Sequence, residues 1–263
     1  MSKIRRVLLT LLALALLMPV MRTLLAAMLP DASVDPVPAR IGGMVMSLLM
    51  LGLPAWQLRP WTSPRLNRTK KLWQGIGLGV VAALLCRMGM MPLDAAWQSM
   101  TGLTANVMPV PESIPLAMLY LLALAIVPAL TEEGFFRGAL LTGLLDGSRR
   151  TTAVLLTTVT FALMHGSLAN LPSLLVLSLV LSLLMLYTGH IAVPMAAHLV
   201  YNLTALLGLT LTGGWCILCG VAVAVLCGWL ITRQPKVAHV PMKMADALIA
   251  AAILAAMLIS TLI

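Results

Sequence analysis

Residues 114–145 decide the fold of this chain, and they read IPLAMLYLLALAIVPALTEEGFFRGALLTGLL. An apolar run of about 20 residues is long enough to cross the hydrocarbon core of a membrane, which is about 30 Å thick. The apolar character continues beyond Thr131 to Leu145 without a further proline. We therefore predict one long membrane helix that carries ionisable side chains, Glu132, Glu133 and Arg137, in its interior.

The rest of the chain is also too apolar for a water-soluble protein. Hydrophobic residues make up 61% of the 263 residues, charged residues 10%, and the mean hydropathy is +1.03, whereas soluble domains contain about 25% charged residues. We predict an all-α polytopic integral membrane protein with about eight or nine transmembrane helices. The predicted spans are 7–29, 40–58, 73–92, 114–131, 151–169, 172–188, 191–210, 213–232 and 244–263.

The net charge of +9 does not indicate nucleic acid, because the cations cluster at the ends of the predicted spans. Cytoplasmic loops of membrane proteins carry an excess of Lys and Arg. All four clusters fall on one side if the N-terminus is cytoplasmic, and we predict that orientation in a bacterial plasma membrane. The clusters are Lys3, Arg5 and Arg6; the cations within 59–71; Arg149 and Arg150; and Arg233, Lys236 and Lys243.

Three glycines at the start of the third span, Gly75, Gly77 and Gly79, could suggest a phosphate-binding loop. No strand precedes them, and they open a membrane helix. Small residues four apart let two membrane helices approach closely. We therefore predict that Gly75 and Gly79 form a helix-packing face.

Three short patterns place polar residues one helical turn apart inside apolar runs: Glu132-Glu133-x-x-x-Arg137, Phe161-x-x-x-His165 and His198-x-x-x-Asn202. At about 1.5 Å rise per residue, Glu132 lies roughly 21 Å from Asp146 and His165 a similar distance from Arg150. Counted from His190, His198 lies about 12 Å and Asn202 about 18 Å along its span. These polar residues thus lie at similar depths in the middle of the membrane, and we predict that they form one polar site.

The two adjacent glutamates are expected to differ in role, because neighbours on a helix point about 100° apart. Glu133 lies four residues before Arg137, in the favourable order for an ion pair. Glu132 has no such local partner and is a candidate general base. The alternative is that both acids pack against Arg22 or Arg87, but these two arginines lie near the outer ends of their spans, where snorkelling accounts for them.

The other polar residues of the motifs suit acid–base chemistry. His165 can hold or relay a proton near neutral pH. His198 and Asn202 can both donate hydrogen bonds toward one point, as the stabilisation of an oxyanion requires. The alternative is that each histidine is a satisfied contact between helices.

These three motifs, in this order on successive membrane segments, resemble the CPBP family, the CAAX-protease and bacteriocin-processing group that includes the type II CAAX prenyl endopeptidases. The resemblance covers about residues 114–211, which it implies are the catalytic core between N-terminal helices in 1–113 and C-terminal helices in 212–263. It implies hydrolysis of a peptide bond in a cavity that opens toward the cytosol in the prenyl endopeptidases. Glu132 and His165 would activate water, and His198 and Asn202 would stabilise the oxyanion. Glu133, Arg137 and Phe161 would support them.

The sequence leaves the use of a metal open. Glu132, His165 and His198 could form a zinc site of two histidines and one carboxylate with an open position. The chain lacks His-Glu-x-x-His, the short helical zinc signature. We favour water activated by Glu132 with no required cofactor, and zinc remains the alternative.

The expected partners are membrane lipid and a peptide or protein substrate, either a prenylated CAAX protein or a peptide precursor such as a bacteriocin. A second hypothesis is a non-proteolytic member of the same group that acts in bacteriocin immunity or as a scaffold or regulator. A third is a transporter, in which buried acids and histidines relay protons. That class is disfavoured because no inverted repeat is evident.

Overall fold

Membrane segments must satisfy their own backbone hydrogen bonds, and the apolar runs of this chain accordingly form helices. The computed structural model describes residues 2–29, 36–58, 72–105, 110–234 and 241–262, and within these ranges no residue forms a β-strand. The cation cluster within 59–71 and Lys236 lie outside the described residues. The helices are α1 (Lys3–Met28), α2 (Pro36–Gln57), α3 (Leu72–Gly89), α4 (Met91–Thr101), α5 (Ile114–Leu145), α6 (Arg150–Met164), α7 (Leu171–Thr188), α8 (Ala192–Leu206), α9 (Gly214–Thr232) and α10 (Met244–Leu262).

The predicted all-α polytopic membrane fold is confirmed. Seven helical stretches of the described residues are long and apolar enough to cross a membrane, with α3 and α4 forming one of them. Helix α5 runs from Ile114 to Leu145 as predicted. The division into 1–113, 114–211 and 212–263 stays a prediction.

Two of the predicted spans, 151–169 and 191–210, are shorter in the structure. Helices α6 and α8 have 15 residues each, which corresponds to a rise of about 22 Å, less than the thickness of a hydrocarbon core. Helix α6 ends because Gly166 turns the chain with φ +66°, and Gly208 does the same after α8 with φ +63°. Glycine adopts these left-handed conformations without steric cost.

The break between α3 and α4 was also not predicted. Helix α3 ends at Gly89, and α4 begins at Met91 with Pro92 in its first turn. Proline is favoured at this position because its missing N–H would have no partner there. The polar residues of α4 can therefore lie against the connection between α6 and α7 (165–170).

Two apolar clusters hold the helices together. The first joins α1 to the second half of α5, to α6 and to α10; its buried residues include Leu8, Leu11, Phe136, Leu140 and Ile253. The second joins α3, α7, α8 and α9; its buried residues include Ala82, Leu181, Val193 and Val223. The helices that carry the three polar motifs, α5, α6 and α8, are thus packed within these two clusters.

Salt bridges tie several helices together at one end of the bundle. Lys3 Nζ lies 2.8 Å from Asp146 Oδ2, and Arg5 Nε lies 3.2 Å from Asp246 Oδ1. The start of α1, the end of α5 and the start of α10 are therefore level. Arg149 and Arg150 follow Asp146 at this same end of the bundle. Two of the cation clusters on which the predicted orientation depends therefore lie on one side of the structure.

The predicted glycine packing face is confirmed. A Cβ atom on Gly79 would lie 3.2 Å from the Val193 carbonyl oxygen and 3.3 Å from the Ala197 Cβ, and one on Gly75 would meet Val193 and Thr188. A Cβ atom on Gly77 would have no neighbour within 4 Å. Helix α3 therefore presses its glycine face onto α8, the helix that carries His198 and Asn202.

We predict that Gly79→Leu lowers the stability of the protein by about 1–3 kcal/mol, because the new side chain would push α3 away from α8. Gly77→Leu is the matched control, since its side chain would enter open space. The measurement is the apparent Tm of both purified variants in the same detergent. Equal Tm values for the two variants would contradict the packing role.

Candidate active site

The middle of α5 departs from regular α-helix where the acidic motif lies. Val127–Glu133 is α-helical, and Gly134–Leu141 is π-helical. A π-helical turn is wider than an α-helical one and is found frequently at functional sites. The widened turn begins directly after Glu133, so the motif from Glu132 to Arg137 spans the change in backbone geometry.

Glu133 and Arg137 form a fully buried ion pair. Arg137 Nη1 donates to Glu133 Oε1 at 2.8 Å, and both side chains are 0% exposed. Arg137 Nη2 donates to the hydroxyl of Ser178 at 2.7 Å and to its carbonyl at 2.9 Å. A buried charge is tolerated only when it is paired and hydrogen-bonded. The pair balances its charges, and the bonds to Ser178 join α5 to α7, whereas Glu133 Oε2 and Arg137 Nε have no hydrogen-bond partner among the described residues.

His198 extends the buried pair to α8. Its Nδ1 lies 2.8 Å from Glu133 Oε1, and the ring is 2% exposed. A carboxylate can only accept, so Nδ1 carries the proton in this contact. The other ring nitrogen, Nε2, is then an acceptor in neutral His198 and a donor in its imidazolium form.

His165 and Glu132 form a second, more accessible pair. His165 Nε2 lies 3.5 Å from Glu132 Oε2, with side chains that are 28% and 16% exposed. His165 Nδ1 lies 2.8 Å from the Phe161 carbonyl oxygen. That oxygen can only accept, so Nδ1 carries a proton and Nε2 is the nitrogen that faces the carboxylate. The two groups can therefore exchange a proton, directly or through a water molecule.

The Phe161 ring separates the two pairs. It is fully buried; the Arg137 guanidinium stacks over it at 4.5 Å. Its centroid lies 4.5 Å from the His165 ring and 5.7 Å from the His198 ring. A cation over an aromatic face is stabilised by the ring's electron density. Phe161 therefore holds the two histidines and the arginine at fixed spacings.

Asn202 is linked to the site only through its helix. It follows His198 by one turn of α8, so the two side chains leave the same face. Among the described residues its side chain has no hydrogen-bond partner. The structure thus brings Glu132, Glu133, Arg137, Phe161, His165 and His198 into one chain of contacts, and it places Asn202 beside them on α8.

Two residues at the site, Arg22 and Ser178, make contacts that were not predicted from the sequence. Arg22 was expected to snorkel, and for this residue the expectation was wrong: its Nη2 donates to the Met164 carbonyl oxygen at 2.6 Å, and it lies within electrostatic range of Glu132. The sequence shows Ser178 as a polar residue in the apolar run of α7. It could not be predicted as the partner of Arg137, because the two residues are 41 positions apart and no helical periodicity relates them.

Helix α4 supplies another group of unpredicted contacts. Trp97 Nε1 donates to the Leu168 carbonyl at 2.8 Å, and Gln98 Nε2 donates to that of Ala169 at 3.1 Å. Asp94 Oδ1 accepts from the Ser173 amide at 3.0 Å. These contacts hold the connection that follows His165.

The suggested metal ligands do not fit a metal ion as they are placed. Glu132, His165 and His198 have the donor chemistry of a zinc site, and Nε2 of each histidine is free to coordinate. Within the described part of the chain, however, no three His, Cys, Asp or Glu side chains are gathered around one metal position. The reaction without a required cofactor, with zinc as its alternative, stays a prediction.

Comparison with known families agrees with the motifs. Residues 114–204 match the family described as type II CAAX prenyl endopeptidase Rce1-like, and this confirms the resemblance. The match covers about a third of the chain and includes every residue of the three motifs. Searches of the curated proteins and of the solved structures found no match.

We predict that Arg137→Leu destabilises the protein by about 3–5 kcal/mol, because it leaves the Glu133 carboxylate buried without its cation. The double variant Glu133→Gln, Arg137→Leu should be more stable than Arg137→Leu alone, since it removes the unpaired charge as well. Arg233→Leu is the control, because Arg233 stacks on Trp229 at the exposed end of α9. Apparent Tm values in detergent give the comparison; a double variant less stable than the single one would refute this account.

Proposed function

We propose that this integral membrane protein is an intramembrane endopeptidase, because residues 114–204 match the family described as type II CAAX prenyl endopeptidase Rce1-like. The observation that carries the proposal is the contact of Glu132 with His165, with Oε2 and Nε2 3.5 Å apart. The pair is partly exposed, and it lies beside a buried and charge-balanced cluster that ends on His198. A reactive pair on a rigid support is the arrangement that hydrolysis requires.

In the proposed reaction a water molecule binds between Glu132 and His165. The Glu132 carboxylate takes a proton from this water, and the oxygen attacks the carbonyl carbon of the scissile peptide bond. A tetrahedral intermediate forms and then breaks at its C–N bond. The proton held by Glu132 passes, directly or through His165, to the leaving nitrogen, so that water and peptide bond become a carboxylic acid and an amine, which then ionise to a carboxylate and an ammonium group.

The oxyanion of the intermediate would be stabilised by His198 and Asn202. His198 donates from Nε2 only as the imidazolium, because Nδ1–H is already bonded to Glu133. The Glu133 carboxylate is a suitable partner for that cation, and Arg137 fixes the carboxylate in place. Asn202 supplies a second donor from the same face of α8. Preorganised donors of this kind are each worth about 10²–10³ in rate.

The substrate is proposed from the family and from the depth of the site. Glu132 lies roughly 21 Å from Asp146 along α5, near the middle of the membrane. A substrate must therefore enter the membrane, as a prenylated C-terminus or an apolar peptide precursor does. We propose entry from the end of the bundle that carries Asp146 and Arg149, which would be the cytoplasmic side of a bacterial plasma membrane.

We predict that Glu132→Gln abolishes cleavage of a quenched fluorescent probe, a farnesylated peptide that ends in a CAAX sequence. The amide cannot take a proton from water, and the loss should exceed about 10²-fold, as expected for a general base. Glu112→Gln is the matched control, because Glu112 is exposed and precedes α5. Peptidomics of cells carrying either variant would then identify precursors that accumulate.

Retention of full cellular function by Glu132→Gln would contradict the protease proposal and would favour the immunity or scaffold role. Loss of cleavage in both glutamate variants would point to a general effect on folding. The apparent Tm of each variant separates this outcome from a catalytic one.

The metal question has its own test. We predict that protein stripped of metal with a strong chelator and dialysed retains its cleavage rate within about twofold, because Glu132 and His165 are sufficient to activate water. The rate is measured with the same farnesylated probe before and after stripping. Abolition of cleavage with rescue by zinc alone would overturn the metal-free mechanism.

A further inference from the structure

Arg22 is a charged residue deep in an apolar helix that lies outside the matched family domain. It follows Lys3 by 19 positions on α1, and Lys3 is level with Asp146 through their salt bridge. Arg22 is therefore roughly 28 Å along α1, compared with about 21 Å for Glu132 on α5. The Cα–Cβ bonds of a helix tilt toward its N-terminus, so the side chains on these two helices lean toward each other's level.

The guanidinium satisfies a backbone group at the end of α6. The amides of His165 and Gly166 bond to the carbonyls of Ala162 and Leu163. The chain then turns away at Gly166, so the next carbonyl, that of Met164, has no amide from its own helix. Arg22 Nη2 donates to it at 2.6 Å. A cation at the carbonyl end of a helix is also favoured by the helix dipole.

The turn after His165 is fitted closely to Arg22. Gly166 has φ +66°, and a Cβ atom there would lie 2.5 Å from Arg22 Nη1. A side chain at this position would therefore strain the backbone and displace the guanidinium. The positive φ of Gly166 and its close approach to Arg22 thus place the guanidinium directly beside His165, in addition to the hydrogen bond with Met164.

The charges around Glu132 leave a place for one more cation. His165 faces it from α6, and Glu133 is its neighbour on α5. Arg137 is in electrostatic range of Glu132 but is already paired with Glu133. Arg22 approaches from α1 and is also in electrostatic range of Glu132, and within the described part of the chain its guanidinium bonds to a neutral carbonyl, that of Met164. Its charge is therefore available to Glu132.

We propose that Arg22 is a positioning residue of the active site: it fixes the end of α6 so that His165 faces Glu132, and it provides the counter-charge of Glu132. This inference rests on the proposed endopeptidase function and extends it to a helix outside the family domain. Helix α4 holds the far side of the same connection through Trp97, Gln98 and Asp94. Arg22 contacts the opposite end of this connection, next to His165.

The test uses the full-length protein in lipid nanodiscs, with the variants Arg22→Met and Arg22→Lys. Met has similar length without donor or charge, whereas Lys keeps the charge and one donor to the Met164 carbonyl. Arg40→Met is the control, because Arg40 is an arginine of another span that stacks on Tyr120, at 4.8 Å from the ring centroid.

The first readout is hydrogen–deuterium exchange of the peptide that covers residues 162–170. In Arg22→Met the exchange of the His165 and Gly166 amides should rise roughly tenfold or more, as expected when a hydrogen bond to a charged group is lost. Arg22→Lys should lie closer to the wild type, and Arg40→Met should match it. Unchanged exchange in Arg22→Met would overturn the proposal.

The second readout is the cleavage of the farnesylated CAAX probe. For Arg22→Met we expect kcat to fall roughly 10–100-fold, the usual cost of misplacing a catalytic group, while KM stays within about twofold because Arg22 does not bind substrate. Arg22→Lys should recover part of kcat. Looser exchange with an unchanged kcat would also overturn the proposal. An inactive wild type would refute the endopeptidase function on this probe, and the exchange data would still decide whether Arg22 holds the turn.

Discussion

A charge inside a layer of apolar helices must be paired, and Arg137 meets this constraint through contacts with several helices at once. Its guanidinium bonds to Glu133 on α5 and to Ser178 on α7, and it stacks on Phe161 of α6. Glu133 in turn accepts from His198 on α8. None of these four helices can shift without leaving a buried charge unsatisfied, at a cost of several kcal/mol. The interaction that makes the motif tolerable in a membrane therefore also fixes the relative positions of the helices.

The same constraint explains why two adjacent glutamates behave differently. Glu133 is committed to the buried cluster, where it has a cation and a histidine. Glu132, rotated by about 100° on the helix, is left on the accessible side with His165. Glu133 thus links the helices of the buried cluster, and Glu132 is the carboxylate that the proposed reaction uses.

The sequence predicted the features that depend on helical spacing. Glu133 and Arg137 pair because they are four residues apart on one helix, and Gly75 and Gly79 pack against α8 because they share a face. Contacts between distant parts of the chain were not predictable in this way. Arg22 reaches Met164 across 142 positions and Arg137 reaches Ser178 across 41, and neither separation has a periodic signature. The ends of α6 and α8 were missed because an apolar run does not show where glycine turns the chain.

Salt bridges between α1, α5 and α10 have a consequence for how the protein is assembled. Helix α10 follows the three polar motifs in the sequence, yet it packs on α1 in the first apolar cluster and holds Arg5 through Asp246. When the motifs of α5, α6 and α8 emerge during synthesis, α1 still lacks this neighbour. The contacts that hold α1, the helix that carries Arg22, are therefore complete only after α10 has been inserted.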